Sequence, residues 1–324
     1  MMLNMVQALN QAMHQEMERD DRVVILGQDV AVDGGVFRVT EGLFEKFGAG
    51  RVLDTPLAES GIIGTAIGMA VYGLRPIAEI QFMGFIYLTM NQIINHAAKL
   101  RNRSRGRYAV PIVVRTPYGA GVRALEHHSE STEALFCQIP GLKVVVPSSP
   151  YDAKGLLTAS IRDPDPVIFL EPTRLYRAGR QEVPEEPYEI PLGKAKIVRE
   201  GEDLTIIAWG AMIPVAQAAA EAAEKNGIFP EIINLRTLCP LDTETVIHSV
   251  KRTGRALILH EAPRTCGLGA EISALINERT LFSLEAPVVR VTGLDITVPL
   301  AKSEDYYIPS PERALQGIKK VMEG

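Results

Sequence analysis

Short apolar runs alternate with apolar positions at helical spacing along nearly the whole chain. Val23-Val24-Ile25-Leu26, Ile77 to Ile80, Ile112 to Arg115, Val144 to Val146 and Val167 to Leu170 are short and almost uniformly apolar, as strands buried on both faces are. Val6, Leu9, Met13 and Met17 recur at helical spacing behind Asn4, a suitable N-cap, and predict a first helix ending near Asp20. Gly34-Gly35 marks a loop before a short helix from Thr40 to Phe47. Ile86, Met90, Ile93, Ile94 and Ala97 predict a long helix, and Tyr151 to Arg162 another. After Pro172, Pro184, Pro187 and Pro191, which punctuate an irregular charged stretch, the alternation resumes. Strands are expected at Leu204 to Trp209, Glu231 to Leu235, Ala256 to His260 and Val288 to Val291. The helices among them are Ile213 to Asn226, one after Asp242, Glu271 to Arg279 and Pro311 to Met322. This order predicts an α/β protein of two doubly wound units with parallel sheets covered on both faces. The expected domains are 1–185 and 201–324, with 186–200 the end of a linker.

Asp54 to Gly73, DTPLAESGIIGTAIGMAVYG, stands apart. It sets Glu59 at a strand-to-helix turn and follows it with a helix rich in small residues. Each interior Gly costs about 1 kcal/mol relative to Ala, so Gly61, Gly64 and Gly68 call for an offsetting gain. Gly64 and Gly68 share a face on which a second backbone fits closely, which predicts a helix contact between subunits. Taken alone, Glu59 reads as a complement to the helix dipole, worth about 0.3–1 kcal/mol.

Composition narrows the class. With 324 residues, 46% of them hydrophobic and 23% charged, the chain has the size for two globular domains. A net charge of -5 gives no general attraction to nucleic acid or anionic membrane. Lys99, Arg101, Arg103, Arg105 and Arg107 lack interleaved aromatics and read as a solvated face or the seat of an anionic partner surface. No run reaches the ~18 apolar residues of a membrane span, and Met1 to Asp21 lacks the marks of a signal peptide, so the cytoplasm is the expected compartment. Cys137, Cys239 and Cys266 lie far apart and read as reduced thiols.

Several motifs carry chemistry. Gly119-x-Gly121-x-x-Ala124 follows a strand as a dinucleotide fingerprint would, but Pro117 precedes it and LEHHSES follows in place of an apolar helix; a mobile glycine-rich loop fits better. Within it, Glu126-His127-His128-Ser129-Glu130 lacks the His-Glu-x-x-His spacing of a zinc site. A histidine that polarises or protonates a substrate group fits, as does an ordinary surface histidine. A Gly-x-Ser-x-Gly elbow and a Gly-x-x-x-x-Gly-Lys-Ser/Thr loop are both absent, which removes support for serine hydrolysis and for that type of ATP binding.

Asp54-Thr-Pro-Leu-Ala-Glu59-Ser, Gln81-Phe-Met-Gly-Phe85 and His128-Ser129, in that order, resemble the β subunit of a 2-oxo acid dehydrogenase E1 component. Gly34-Gly35-Val-Phe-Arg38, Pro140-Gly-Leu-Lys-Val144, Tyr151-Asp-Ala-Lys-Gly155, Leu235-Arg-Thr237 and His260-Glu-Ala-Pro263 extend the likeness over essentially the whole length. Pyruvate and branched-chain types share these residues; His260-Glu-Ala-Pro263 and Glu171-Pro-Thr-Arg-Leu-Tyr176 lean toward the branched-chain type.

The resemblance implies a transketolase-like pyrimidine-binding domain followed by a transketolase C-terminal-like domain. It also implies thiamine diphosphate bound between an α and a β chain of an α₂β₂ heterotetramer. In that setting Glu59 hydrogen-bonds N1′ of the aminopyrimidine, Leu57 and Phe85 line the pyrimidine pocket with Gln81 nearby, and His128 serves substrate binding or reductive acylation of the lipoyl group on E2. The implied reaction is oxidative decarboxylation of a 2-oxo acid. The family's Gly-Asp-Gly diphosphate and Mg²⁺ motif is absent from this sequence, so Mg²⁺ is expected on the partner chain. Gln28 stands where relatives commonly carry Glu, which puts in doubt an acidic path between active sites. A structural K⁺ on the carbonyls of Ile112, Ser160, Asp163 and Asp165 is a further implication. The alternatives are an acetoin dehydrogenase β chain, the carboxy-terminal half of a split transketolase, or a non-catalytic subunit that binds a nucleotide through the Gly119 loop.

Overall fold

The structure, a computed structural model, describes residues 1–324. The chain forms two compact units: Met1–Tyr118 with Leu135–Leu192, and Gly119–Ala134 with Gly193–Gly324. The division differs from the expected domains in two respects, the first being that the expected linker 186–200 is shared between the units, which part at Leu192 and Gly193. The stretch Gly119–Ala134, which leaves the first sheet at Tyr118, has most of its contacts in the second unit.

In the first unit, Asn4 caps α1 (Met5–Arg19) through a reciprocal capping box with Gln7, which satisfies two end amides. The strands β1 (Val23–Gly27), β2 (Val52–Asp54), β3 (Arg75–Glu79), β4 (Val113–Tyr118), β5 (Lys143–Val145) and β6 (Val167–Pro172) form a parallel sheet in the order β5-β6-β4-β3-β1-β2. Two helices complete the frame, α2 (Glu59–Val71) after β2 and α3 (Pro150–Arg162) after β5, the latter begun by Ser149 as N-cap and Pro150. α1 and α3 pack together over Leu9, Met13, Leu156, Leu157 and Ile161, and buried Glu16 takes two hydrogen bonds from Arg162, at 2.6 and 3.0 Å.

The proline-rich stretch is stitched to the first unit. Gln181–Glu182 pairs antiparallel with Met2–Leu3, and the Lys154 ammonium donates to the carbonyls of Pro184, Glu185 and Glu186 at 2.6–3.0 Å. Gly155 admits Ile190 and Tyr188 so closely that a Cβ would meet them at 2.6 to 2.9 Å. A buried cation needs such acceptors, and three carbonyls supply them.

The expected long helix after Ile80 is instead a 3₁₀ turn, Met83–Thr89, a π turn, Gln92–Ala97, and an α turn, Ala98–Arg103. The buried positions explain the change: Met83, Ile86 and Thr89 step by three, Ile93 and Ala97 by four, so the backbone tightens and then widens to keep one face inward.

The second unit carries β7 (Lys196–Arg199), β8 (Leu204–Ala208), β9 (Pro230–Asn234), β10 (Ala256–Pro263) and β11 (Val289–Gly293) in the order β11-β10-β8-β9-β7, with only β7 antiparallel. Its helices are α4 (Met212–Glu224), α5 (Thr243–Thr253, capped by Asp242), α6 (Leu268–Thr280) and α7 (Pro311–Met322, capped by Ser310). No helix is long and apolar enough to cross a membrane.

Candidate active site

Parallel α/β sheets present ligands at the carboxyl ends of their strands, and the sequence-predicted residues of the first unit lie there. Glu59 opens α2 just beyond β2, and Gln81 and Phe85 follow β3. The N-cap position, Ala58, brings no side-chain bond to the helix end. Glu59 is only 7% exposed, and among the described residues no cation pairs with its carboxylate. Its oxygens are not among the fully buried polar atoms left without a partner, so the carboxylate is open to a group from outside this chain. Leu57 is 65% exposed beside it, an apolar side chain turned to the outside.

α2 packs against the Met83–Thr89 and Gln92–Ala97 turns, which joins Glu59's helix to the segment carrying Phe85. Phe85 meets Phe82 edge-on at 5.9 Å, Phe82 meets Phe37 at 5.8 Å, and Phe37 meets Tyr176 at 5.1 Å. Gln81 donates to the Asp29 carboxylate at 3.0 Å and toward the Gln28 carbonyl at 3.4 Å, so it braces the β1 exit.

Under this aromatic row lies a buried charge cluster that the sequence reading missed. Arg115 on β4 donates to both oxygens of Glu171 on β6, at 2.6 and 2.9 Å, and to Glu79 on β3 at 2.8 Å; the Tyr176 hydroxyl donates to Glu171 at 2.7 Å. All four are almost fully buried. Burial, only partly offset by Arg115, pushes the Glu79 carboxyl above its ordinary range. Burial, then the neighbouring Glu171 carboxylate, pushes the Tyr176 phenol up as well. The cluster bolts three adjacent strand ends together below the loops that carry Phe37, Gln81 and Phe85. Its one sequence signal was a charged residue at or near the end of each of three apolar runs.

His128 lies in the second unit, in a 3₁₀ turn, Glu126–His128, of the Gly119–Ala134 stretch. Its ring sits 4.2 Å from that of His127 and is tilted by 56°. Burial and then the neighbouring His127 hold its pKa below 6.5, so the neutral imidazole prevails at pH 7. Three carboxylates pin the stretch, one of them Asp305, which pairs with the Arg123 guanidinium at 3.0 Å. The Ala120 amide donates to Glu261 of β10, Ser131 Oγ donates to the same carboxylate at 3.4 Å, and the Arg123 amide donates to Glu304 at 3.0 Å. Gly119, at φ +81°, brings its backbone so near Glu261 that a Cβ would lie 2.8 Å from an oxygen. Only glycine fits there. No α-helix begins directly after residues 119–124 to receive a pyrophosphate, the next being the short Glu133–Cys137, so the stretch lacks the frame of a dinucleotide fingerprint.

The four carbonyls considered for K⁺ lie around the end of α3 and the start of β4. Those of Ile112, Ser160 and Asp163 already accept bonds from Val167, Asp163 and Arg75, so a cation would take their second lone pairs.

The Gly64/Gly68 face of α2 is open. A Cβ at Gly68 would meet nothing within 4 Å, and one at Gly64 only Gln92 at 4.0 Å. The chain's own packing therefore gives no reason for these glycines.

Comparison with known proteins decides the family. The transketolase pyrimidine binding domain matches residues 1–179, and the transketolase C-terminal domain residues 193–314. The pyruvate dehydrogenase E1 component subunit beta of Acholeplasma laidlawii is 55% identical over 319 residues, covering 98% of each chain. That of Bacillus subtilis is 50% identical over 321 residues, covering 99% of each. The chain belongs to the family of pyruvate dehydrogenase E1 component β subunits. Staphylococcus aureus has a further relative, 48% identical over 99% of each chain. Among solved structures, a split-gene transketolase, an inactive β4 tetramer, superposes with a TM-score of 0.82 at 22% identity, covering 99% of this chain and 98% of that one. A Pichia stipitis transketolase superposes with a TM-score of 0.71 at 12% identity, covering 100% of this chain and 46% of that one. These two likenesses speak for the fold alone. The lean toward the branched-chain type finds no support in these E1 β relatives, all named for pyruvate. As a member of this family the chain is part of a thiamine diphosphate-dependent 2-oxo acid dehydrogenase.

Proposed function

We propose that this chain forms the pyrimidine half of the thiamine diphosphate site in a pyruvate-decarboxylating E1, completed by an α subunit in an α₂β₂ assembly that hands its acyl group to the lipoyl arm of E2. The observation that carries this reading is Glu59, buried and unpaired where α2 begins.

The residues present fit the cofactor's aminopyrimidine. Glu59 offers a carboxyl for the ring nitrogen N1′, and Leu57 and Phe85 offer apolar walls beside it, Phe85 held edge-on by Phe82. When bound, the cofactor supplies the electron sink that lets a 2-oxo acid lose carbon dioxide. Glu59 holds a proton at N1′ and fixes the ring's tautomer, and low exposure strengthens that bond. Gln81 keeps the strand exits in register, and neutral His128 accepts or donates a proton toward substrate or the lipoyl group. Diphosphate and Mg²⁺ fall to the α subunit, because this chain carries no Gly-Asp-Gly motif. The open Gly64/Gly68 face, with Tyr72 exposed at the end of the same helix and Leu88 exposed on the Met83–Thr89 turn that packs against it, is the seat we assign to the partner. A K⁺ on the carbonyls of Ile112, Ser160, Asp163 and Asp165 and a cytoplasmic setting, in keeping with three free cysteines, complete the proposal.

The test is to co-express the chain with its α subunit and supply thiamine diphosphate, Mg²⁺ and either pyruvate or a branched 2-oxo acid. The reading expects decarboxylation by the assembly, faster on pyruvate, and none by this chain alone. Faster turnover of the branched acid, or full activity of the isolated chain, contradicts it.

A further inference from the structure

The second unit contains a cavity of about 350 Å³ lined by Arg264, Arg290 and Arg313, with Thr292, Asp295 and Gln316 among the remaining walls. The three arginines come from the end of β10, from β11 and from α7, so the fold gathers them from separate elements. In a chain of net charge -5 such a concentration is unexpected. None of the three forms an ion pair within the chain. Their guanidinium groups are held by backbone carbonyls: Arg264 donates to the Arg290 carbonyl at 2.9 Å, Arg290 to the Arg264 carbonyl at 3.1 Å, and Arg313 to the carbonyls of Thr292 and Tyr307 at 2.6 and 3.1 Å. Carbonyls fix the positions of these groups without neutralising them.

The one carboxylate in the wall, Asp295, is hydrogen-bonded mainly to Thr265, although its charge also acts on Arg264 and Arg290 without forming an ion pair with either. It accepts from the Thr265 amide at 2.9 Å and the Thr265 hydroxyl at 2.7 Å. Arg290 is held below its ordinary pKa by burial and then by Arg264, and Arg313 by burial, so the charged forms stand at a cost that an anion would relieve. A second hollow of about 310 Å³ shares Arg264, Arg290, Val291 and Gln316 and extends along Pro287, Val288 and Val289 to Lys320. Together the two provide a cationic end, an apolar wall and one further ammonium. Their volumes are those of small-molecule sites.

We infer that this cavity is a binding site for a small multivalent oxyanion, its phosphoryl or carboxylate groups seated between Arg264, Arg290 and Arg313. Guanidinium groups match the paired oxygens of both chemistries, and three of them select ions of charge two or more over chloride. The site lies wholly within the second unit and shares no residue with Leu57, Glu59, Gln81, Phe85 or His128.

Calorimetric titration tests the inference, using the full-length chain alone and in the assembly it forms, at constant ionic strength. The probes are pyrophosphate, citrate and chloride. Saturable binding of one pyrophosphate or citrate per chain, tighter than about 1 mM, is expected, with negligible chloride binding. Arg264→Gln and Arg290→Gln should each weaken it about tenfold, the loss of a charge-assisted contact, and Asp295→Asn should tighten it. Arg264 is exposed at the rim, so its replacement leaves folding intact if that of Arg290 does not. Tighter pyrophosphate identifies a phosphorylated ligand; tighter citrate identifies a polycarboxylate. Equal response to chloride, unchanged affinity in Arg264→Gln, or binding that vanishes on assembly overturns the inference.

Discussion

Glu171 and Glu261 are both carboxylates buried at strand ends, as Glu59 is buried at the start of a helix, but they are used differently. Glu171 in the first unit is saturated by Arg115 and Tyr176, and Glu261 in the second by Ala120 and Ser131. Each does a structural task inside its own unit. Glu59, 7% exposed, is given no cation and no capping task for a neighbouring residue. The difference separates two kinds of buried carboxylate: one has its acceptors filled by the chain, whereas the other, Glu59, has them left open.

The largest test of that contrast is Arg115→Met. Removing the only guanidinium from a cluster with two carboxylates should destabilise the first unit by about 3–5 kcal/mol, read by denaturant unfolding. A loss under about 1 kcal/mol would mean that the cluster is not the structural member of the comparison. Glu79 is paired with Arg115, but burial outweighs that pairing and pushes its carboxyl up, so its sign is opposite to that of an acid whose pKa a salt bridge lowers. Its contribution is complete below its unfolded pKa and is lost as pH rises through its folded one, so Glu79→Gln should remove that loss of stability as pH rises above the unfolded carboxylate's pKa.

The second test addresses the other unit. His260 is fully buried, stacked on Trp209 at 5.3 Å, and held by burial at a pKa of about 4. A lowered histidine pKa means that the unfolded chain takes up the proton first. Stability is therefore complete above pH 6.5 and falls by roughly 3 kcal/mol toward pH 4, at about 1.36 kcal/mol per unit. Thermal unfolding of His260→Phe across that range should show a flatter acid limb than the parent.

A smaller effect is expected from Glu261→Gln, which keeps the side chain's shape and removes the charge that receives the Ala120 amide. The Gly119–Ala134 stretch should exchange its amide hydrogens faster. The assembled enzyme should lose about 10- to 150-fold in kcat/KM, as for one charge-assisted hydrogen bond of about 1.5–3 kcal/mol, with thiamine diphosphate affinity unchanged. The smallest is Gly68→Ala. In the isolated chain it should be neutral or stabilising by up to about 1 kcal/mol, since no atom lies within 4 Å of the new Cβ, while the α–β assembly weakens. Equal assembly with either residue would remove the partner from that face.

The elements were legible because buried parallel strands are continuous apolar runs and the helices between them keep apolar positions at helical spacing, the first also announced by its cap at Asn4; the caps at Ser149, Asp242 and Ser310 are seen in the structure. The Met83–Ala97 segment was not, because apolar spacing alone does not separate an α turn from the narrower and wider turns beside it. Of the candidate site, Glu59, Gln81 and Phe85 were found through a family likeness, not through periodicity. The Arg115 cluster and the Glu261 and Glu304 anchors stayed hidden because their partners are distant in sequence. Glu171 and Arg115 are separated by 56 residues and Glu261 and Ala120 by 141, and a pattern read along the chain sees only neighbours.

The central claim is that Glu59 is held buried and unpaired for the cofactor. The direct measurement is decarboxylation by the α–β assembly carrying Glu59→Gln, beside circular dichroism and assembly state. The account predicts an intact fold and assembly with the rate reduced at least about 100-fold, as for loss of a positioned proton-sharing group. A rate within about twofold of the parent enzyme would contradict it.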